Sequence, residues 1–161
     1  MVYAWTVTDA RWLNETEGRA WRGYRRMRTL LDLQIARDLA HDSGLSESDY
    51  DVLSTLTEGA EPAWRATALA EQLLWSTSRL AHHVGRMERR GLVIRSDCAD
   101  DARGATVSLT PAGLTALEDA AALHVDSVRR HMIDLLTPDE VAELAVITSK
   151  VIDHLSRRSA P

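Results

Sequence analysis

Cysteine and long apolar runs are nearly absent from this chain. Cys98 is the only cysteine among 161 residues, which excludes an intrachain disulfide and a zinc site built from several cysteines. No apolar run approaches the roughly 18 residues of a membrane span, and the amino terminus lacks the basic-then-apolar pattern of a secretion signal. We therefore expect a cytoplasmic protein, and a hydrophobic content of 45% is enough for one domain with a real core.

The motifs of common enzyme classes are also missing. The eight glycines are scattered rather than grouped in a phosphate-binding loop, and the chain has neither a nucleophile elbow nor a metal-binding helix motif. No convergent carboxylate pair can be identified, and the histidines have no obvious serine or cysteine partner. We therefore expect no catalytic residues, no cofactor and no enzymatic activity.

The net charge of the chain is negative, but residues 76–95 are basic. The formal net charge is −5 at pH 7, yet residues 76–95 hold five arginines against one glutamate, a balance of +4. Phosphate contacts are the main sequence-independent source of affinity for DNA. The segment is predicted to bind DNA, and the acidic remainder should limit non-specific binding and make affinity salt-dependent.

The basic segment has the pattern of a two-faced helix. Ser76 is a natural N-cap and Gly91 a natural stop, while Leu80, Val84 and Met87 fall on one stripe. His83 is predicted to face the core. The other side carries the residues that we predict to contact DNA, which are Thr77, Ser78, Arg79, His82, Arg86 and Arg89.

The neighbouring segments complete a DNA-reading unit. A short helix over residues 67–75, capped by Thr67, precedes the basic helix with the spacing of a helix-turn-helix. After it, residues 92–94 and 106–109 are predicted to pair as a hairpin. The loop between them, residues 96–105, is longer than a hairpin needs and should project into solvent as a β-wing.

Long amphipathic helices flank this unit. Capping boxes and helical spacing predict one helix from Asn14 to Gly44 and another from Ser46 to about Glu58, followed by a connector at 61–66 with one short strand. Beyond the wing, a helix starting at Thr110 and Pro111 keeps its apolar seam through Leu135. A last helix follows Thr137 and runs to Leu155. One monomer cannot easily bury so many apolar stripes, so we expect a homodimer.

Two runs of sequence carry a resemblance to a known family. The runs LAEQLLWSTSRLAHHVGRMERRGLVIR and DDARGATVSLTPAGL resemble the multiple antibiotic resistance regulator (MarR) family of winged helix-turn-helix regulators, and the resemblance covers nearly the whole chain. It implies a mainly α fold with a small β-wing, in a single domain over residues 1–161. Residues 12–44 and 111–157 would be dimerisation helices, and residues 46–110 a DNA-binding lobe with its wing at 92–109.

The resemblance also implies a function. The protein would be a homodimeric repressor that binds an inverted-repeat operator in double-stranded DNA and is released by a phenolic, lipophilic or drug-like effector, as in stress-responsive regulators. Arg103 at the wing tip would enter a minor groove, held by Asp101. The family often has threonine or valine at the positions of Arg79 and Leu80, and arginine at that of His82, so its base preference does not transfer to this chain.

Aromatic residues are candidates for an effector site. Phenylalanine is absent, whereas five tryptophans are present, and planar side chains can line a small-molecule pocket. In relatives, effectors bind near the first helix and the DNA-binding lobe. The candidates here are Trp12, Trp21, Tyr24 and Tyr50, and ordinary core or dimer packing is the competing explanation for each of them.

Two other functions remain open at this stage. The acidic net charge would suit a winged helical protein that binds a protein partner rather than DNA. A zinc-responsive regulator of the same fold is the second alternative, because His124 and His131 could lie on one side of the fifth helix. No metal ligand set with defined spacing can be assigned, however. Asp97 and Asp100 should raise the pKa of the Cys98 thiol, so we expect no redox switch there.

Overall fold

The computed structural model describes residues 11–58, 63–98 and 101–158, with the backbone alone at 98, 101–104 and 158. The mainly α fold with a small β-wing, as predicted, is confirmed. The elements in chain order are α1 (Glu15–Ser43), α2 (Glu47–Glu58), β1 (Ala63–Arg65), α3 (Ala66–Gln72), α4 (Thr77–Arg89), β2 (Val93–Cys98), β3 (Asp101–Leu109), α5 (Pro111–His131), a 3₁₀ turn (Ile133–Leu135) and α6 (Pro138–Arg158).

Three helices begin with the capping boxes predicted from the sequence. In each box the first side chain accepts a hydrogen bond from a backbone N–H three residues on, and the acidic side chain accepts one from the backbone N–H of the first residue. These reciprocal bonds satisfy donors that a helix start would otherwise leave free. The pairs are Asn14 with Glu17, Ser46 with Asp49, and Thr137 with Glu140.

The chain divides within α1 into two compact units, Met1–Leu33 and Gln34–Pro161. The described part of the first unit consists of residues 11–14 and residues 15–33 of α1. Apolar side chains of this part of α1, among them Trp21, Met27 and Leu30, are about half exposed.

The second unit contains the hydrophobic core. Side chains from α2, α3, α4 and the sheet meet there, and Leu53, Leu69, Leu80 and Met87 are at most 1% exposed. Each fully buried side chain of this size contributes about 1.5 to 3 kcal/mol to stability. The core thus fixes α4 by its apolar stripe and leaves the opposite side of that helix in solvent.

The sheet has three antiparallel strands in the order β1-β3-β2. Trp64 pairs with Val107 across β1 and β3, and Val93 pairs with Leu109 across β2 and β3. The connector strand predicted near residues 61–66 is present as β1. Pairing between β2 and β3 continues to Cys98 and Asp101, with a register shift after Asp97.

The predicted wing loop at residues 96–105 was therefore too long. Most of that segment belongs to the two strands, because backbone pairing in an antiparallel ladder does not depend on side-chain polarity. Asp97, one of the charged residues that suggested a solvent loop, is exposed on the edge strand β2, where charged side chains are common.

Two helix boundaries also differ from the prediction. Helix α3 begins at Ala66 without a side-chain cap, since strand β1 leads directly into it, so Thr67 lies inside the helix. Helix α5 ends at His131, where Met132 leaves the helical region with φ −142°, and a 3₁₀ turn follows. The apolar spacing through Leu135 marks a common face, but it does not require an unbroken helix.

Candidate nucleic-acid interface

Helix α4 is positioned by a tight turn after α3. Leu74 in this turn adopts φ +54°, and the backbone N–H of Trp75 donates to the carbonyl of Ala70 at 2.8 Å. The Ser76 hydroxyl then accepts a hydrogen bond from the backbone N–H of Arg79 at 3.2 Å, as predicted for an N-cap. At the other end, Gly91 has φ +74° and ends the helix.

The two faces of α4 are as the sequence predicted. Leu80, Val84 and Met87 are buried, and so is His83, at 6% exposure. The side chains predicted to contact DNA are all exposed, which fits the placement but does not test their role. They are Thr77, Ser78, Arg79, His82, Arg86 and Arg89.

Arg79 is held against an aromatic ring. Its guanidinium carbon lies 4.0 Å from the ring centroid of Trp75, within the range of a cation–π interaction. Trp75 also meets the ring of His83 edge-on, with centroids 5.5 Å apart. Trp75 was not among the residues predicted for this site, although the spacing of four residues between Trp75 and Arg79 is a usable signal.

Arg86 is held between two histidines. Its Nη1 contacts Nδ1 of His82, and its Nη2 lies 2.6 Å from Nδ1 of His83. His83 extends inward from this contact, and its Nε2 lies 3.0 Å from Oδ1 of Asp49 on α2. This last pair is within ion-pairing distance but is not aligned as a hydrogen bond.

Asp49 is a buried carboxylate that connects α2 to α4. Its side chain is 5% exposed, and Oδ2 accepts hydrogen bonds from Arg90 Nη1 at 2.6 Å and from the backbone N–H of Ser46 at 3.0 Å. Burial raises its pKa, but the bonds from Arg90 and Ser46 outweigh burial and leave the pKa below its usual value. Burial is also the largest influence on His83 and lowers its pKa, against the opposing effect of Asp49.

The wing begins close to the end of α4. The backbone N–H of Arg95 on β2 donates to Oε1 of Glu88 at 3.2 Å, which ties the first wing strand to the helix. The side chains of Asp101 and Arg103, predicted to act at the wing tip, lie outside the described part of the chain.

A cavity of about 250 Å³ lies between α4 and the sheet. Its wall is partly polar and includes two arginines from the strands, so it differs from the apolar core beside it. Sequence reasoning missed this space, because its walls come from five separate elements, β1, α3, α4, β2 and β3. Lining residues include Arg65, Thr67, Thr77, Ala81, Arg95 and Val107.

The aromatic candidates for an effector site lie in both units. In the first unit Trp21 stacks on Tyr24 with centroids 5.9 Å apart, and Trp12 is 71% exposed. In the second unit Tyr50 on α2 packs against His124 on α5 at 4.5 Å. Nothing about these contacts identifies a ligand.

The histidines considered for zinc make other contacts. His131 Nε2 lies 2.9 Å from Oδ2 of Asp38, whereas His124 packs on Tyr50. Within residues 11–58, 63–98 and 101–158, no group of three or more histidine, cysteine, aspartate or glutamate side chains could hold a metal ion. In the same ranges, no helix is long and apolar enough to cross a membrane.

A short helix, a tight turn, an exposed basic helix and a β-hairpin define a winged helix-turn-helix protein. Comparison with models of protein families gave no match. A solved structure of AbsC, a MarR family transcriptional regulator from Streptomyces coelicolor, is 39% identical to the chain and superimposes with a TM-score of 0.83, over 91% of this chain and 99% of AbsC.

Two further comparisons agree. Sco3205, a MarR family transcriptional regulator from the same organism solved in complex with DNA, is 37% identical with a TM-score of 0.84, over 91% of this chain and 92% of Sco3205. The transcriptional regulator PrsX from Escherichia coli is 26% identical over 70% of this chain and 67% of its own length. The chain belongs to the MarR family of transcriptional regulators.

Proposed function

We propose that the protein is a sequence-specific DNA-binding regulator in which α4 enters the major groove. The observation that carries this proposal is the exposed face of α4, where Arg79 and Arg86 are held by neighbouring rings and Arg89 continues the basic surface. The solved complex of Sco3205 with DNA supports it. The family's members are regulators, and we propose no catalytic role for any residue.

The proposed DNA contacts differ between the start of α4, the rest of that helix and the wing. Thr77 and Ser78 are at the amino-terminal end of α4, where hydroxyl and backbone donors suit phosphate oxygens. The arginines of α4 would supply bidentate contacts to guanine or salt links to phosphate. By analogy with the family, Arg103 of the wing would enter the minor groove and Asp101 would hold it.

A homodimer would place two such helices on one operator. Helix α6 exposes a row of aliphatic side chains, all more than half exposed in the single chain, which favours burial against a second copy. Two recognition helices about 34 Å apart would match successive major grooves on one face of an inverted repeat. The exposed residues include Val146, Ile147, Val151, Ile152 and Leu155.

We further propose that the protein represses transcription and is released by a small ligand. A ligand can act this way only if it binds the DNA-free arrangement of the dimer more tightly than the DNA-bound one. The aromatic side chains of Trp12, Trp21, Tyr24 and Tyr50 are the candidates for contact with a phenolic or other lipophilic effector. Saturable quenching of tryptophan fluorescence by salicylate-like acids would support such binding, and no response to a chemically broad panel would contradict it.

DNA binding is tested by fluorescence anisotropy with duplexes that carry inverted repeats from the DNA flanking the gene. Each titration is run at two salt concentrations beside a scrambled duplex. We expect a salt-dependent preference for one repeat, with Arg86→Ala weakening binding and reducing the salt slope by about 1. Arg130→Ala, which removes an exposed arginine from α5, is the matched control and should change neither quantity.

Two results would contradict the proposal. Equal affinity for all duplexes, across the repeats tested and with effector-free protein, would exclude sequence-specific binding. Absence of any binding at low salt would instead favour a winged domain that recognises a protein partner.

A further inference from the structure

Arg86 restricts the protonation of His83, the buried one of the two histidines that it contacts. A guanidinium group has five N–H donors, no acceptor, and a charge that is retained at every pH of interest. The two nitrogens that face it, Nδ1 of His82 and Nδ1 of His83, must therefore both be lone-pair acceptors. In this arrangement the imidazole of His83 is neutral and carries its proton on Nε2.

Asp49 selects that tautomer for His83 from the inner side of the helix. Its Oδ1 lies 3.0 Å from Nε2 of His83, and a carboxylate beside one ring nitrogen favours the proton on that nitrogen. Asp49 is itself fixed by Ser46 and Arg90. A buried anion on α2 thus favours the tautomer in which Nδ1 of His83, the nitrogen that faces Arg86, has a free lone pair.

The other surroundings of His83 keep the imidazole neutral. Burial is the largest influence that disfavours a charged imidazole, Arg86 and Arg79 on α4 add to it, and together they lower the pKa of His83 despite the attraction of Asp49 on α2. The edge of the Trp75 ring closes one side of the imidazole. His83 is therefore held in place, neutral, with its acceptor nitrogen directed at Arg86.

We propose that His83 is a positioning residue for DNA recognition. Asp49 holds His83 in a fixed orientation, and His83 in turn holds the guanidinium group of Arg86 in place before DNA is bound. The role rests on the proposed function, since it requires α4 to contact DNA. Two of the five N–H donors of Arg86 are used by the histidines, and three remain for a base edge or phosphate.

Holding the Arg86 side chain in place before binding should increase the affinity of the protein for its operator. A free arginine side chain loses rotamer freedom when DNA fixes it, and prior immobilisation removes that cost, which corresponds to roughly threefold to tenfold in affinity. Non-specific binding depends mainly on charge near the phosphates. Because neutral His83 contributes no charge, its loss should affect specific binding more than non-specific binding.

A double-mutant cycle tests this coupling. His83→Phe keeps a ring beside Trp75 but removes the acceptor for Nη2 of Arg86. We expect it to weaken operator binding about threefold to tenfold, with the salt slope and the affinity for a scrambled duplex unchanged. In the Arg86→Ala background the same substitution should have no effect on affinity, and equal losses in both backgrounds would overturn the proposal.

Matched variants separate positioning from a general effect on the fold. His83→Gln, whose amide can donate towards Asp49 and accept from Arg86, should restore most of the operator affinity. His41→Phe replaces an exposed histidine at the end of α1 and should leave both duplex affinities unchanged. Failure of His83→Gln to bind better than a correctly folded His83→Phe would count against the proposal.

The tautomer can be measured in the wild-type protein without any variant. Long-range ¹H–¹⁵N correlation spectra at neutral pH should show His83 with the proton on Nε2. A proton on Nδ1 of His83 would overturn the proposal even if operator binding is confirmed. A wild-type protein with this tautomer but no affinity for DNA would instead contradict the proposed function, and the recognition role would fail with it.

Discussion

Gly113 on α5 lies against the backbone of Leu92 so closely that a β-carbon at position 113 would come within 1.9 Å of the Leu92 carbonyl oxygen. The N-cap of α5 creates this approach. The Thr110 hydroxyl donates to the carbonyl of Gly91 at 2.7 Å and accepts from the backbone N–H of Gly113 at 2.8 Å. The start of α5 is thereby fixed to the chain segment that links α4 to the wing.

Gly113→Ala should therefore destabilise the protein strongly. The new methyl group would meet backbone, which cannot move aside as a flexible side chain could, and overpacking of this kind costs about 3 kcal/mol. The measurement is the free energy of unfolding in urea. Gly85→Ala is the control, since a β-carbon there would meet only the Arg89 side chain at 4.0 Å, and it should be neutral or stabilising by up to about 1 kcal/mol.

Leu74→Gly should make the protein more stable. Leu74 combines φ +54° with 92% exposure, so its side chain contributes little burial while its backbone is in a region that favours glycine. We expect a gain of about 0.5 kcal/mol after the entropy of the unfolded chain is counted. Leu74→Ala keeps the unfavourable backbone and should show no gain; equal stabilisation by both variants would refute the explanation.

The stability of the protein should fall as the pH drops from neutral, in part because of His83. Burial lowers the pKa of this group from the ordinary value of 6.5 in the folded protein, so between the two pKa values the unfolded chain binds more protons. The stabilisation is present above pH 6.5 and is lost progressively between pH 6.5 and the folded-state pKa.

Urea titrations between pH 7.5 and 5.5 measure this effect. His83→Gln removes the titrating group and should lose less stability over this interval than the wild type does. His41, whose pKa is raised by its hydrogen bond to Asp42, titrates in the opposite sense but is present in both proteins. Identical pH profiles would mean that His83 is not responsible.

Ser127→Ala should reduce stability at neutral pH and lose that effect in acid. The buried Ser127 hydroxyl on α5 donates to Oδ2 of Asp38 at 2.7 Å, and this hydrogen bond is the largest cause of the lowered pKa of Asp38. A lowered carboxyl pKa stabilises the fold above the ordinary value of 3.8, and the stabilisation is lost as pH falls through the folded-state pKa.

The measurement is the thermal midpoint of Ser127→Ala and wild type from pH 7 to pH 2.5. The difference between them should shrink as Asp38 is protonated. Ser149→Ala, at an exposed position on α6, is the control and should leave the midpoint unchanged. A constant difference at every pH would assign the loss to packing rather than to the hydrogen bond.

Val151→Glu should dissociate the proposed homodimer. Val151 is 53% exposed on α6, and a carboxylate in an apolar interface would lose its hydration without gaining a partner. Sedimentation equilibrium should give the mass of one chain for this variant and of two for the wild type. Ser149→Glu, on the opposite side of the same helix, should remain dimeric, and a monomeric wild type would refute the dimer itself.

Much of the geometry of the candidate DNA-binding face could be predicted because it depends on local sequence. The cap at Ser76, the stop at Gly91 and the apolar stripe of Leu80, Val84 and Met87 all follow from spacing within one helix. The exposed face of α4 then follows from the buried one. The length of the wing strands was not predicted. The hydrogen bonds between strands are made by backbone groups, so the pattern of side chains does not show where the pairing ends.

The sequence by itself determined the order of the elements, the two faces of α4 and, through the resemblance of its motifs, the family. Only the tertiary structure decided which residues of other elements support the exposed face of α4. Asp49 was identified from sequence as half of a capping box, but its contact with Arg90 joins residues 41 positions apart, and its contact with His83 likewise crosses from α2 to α4. Such contacts depend on how two helices pack against each other. The apolar periodicity within either helix does not predict that packing.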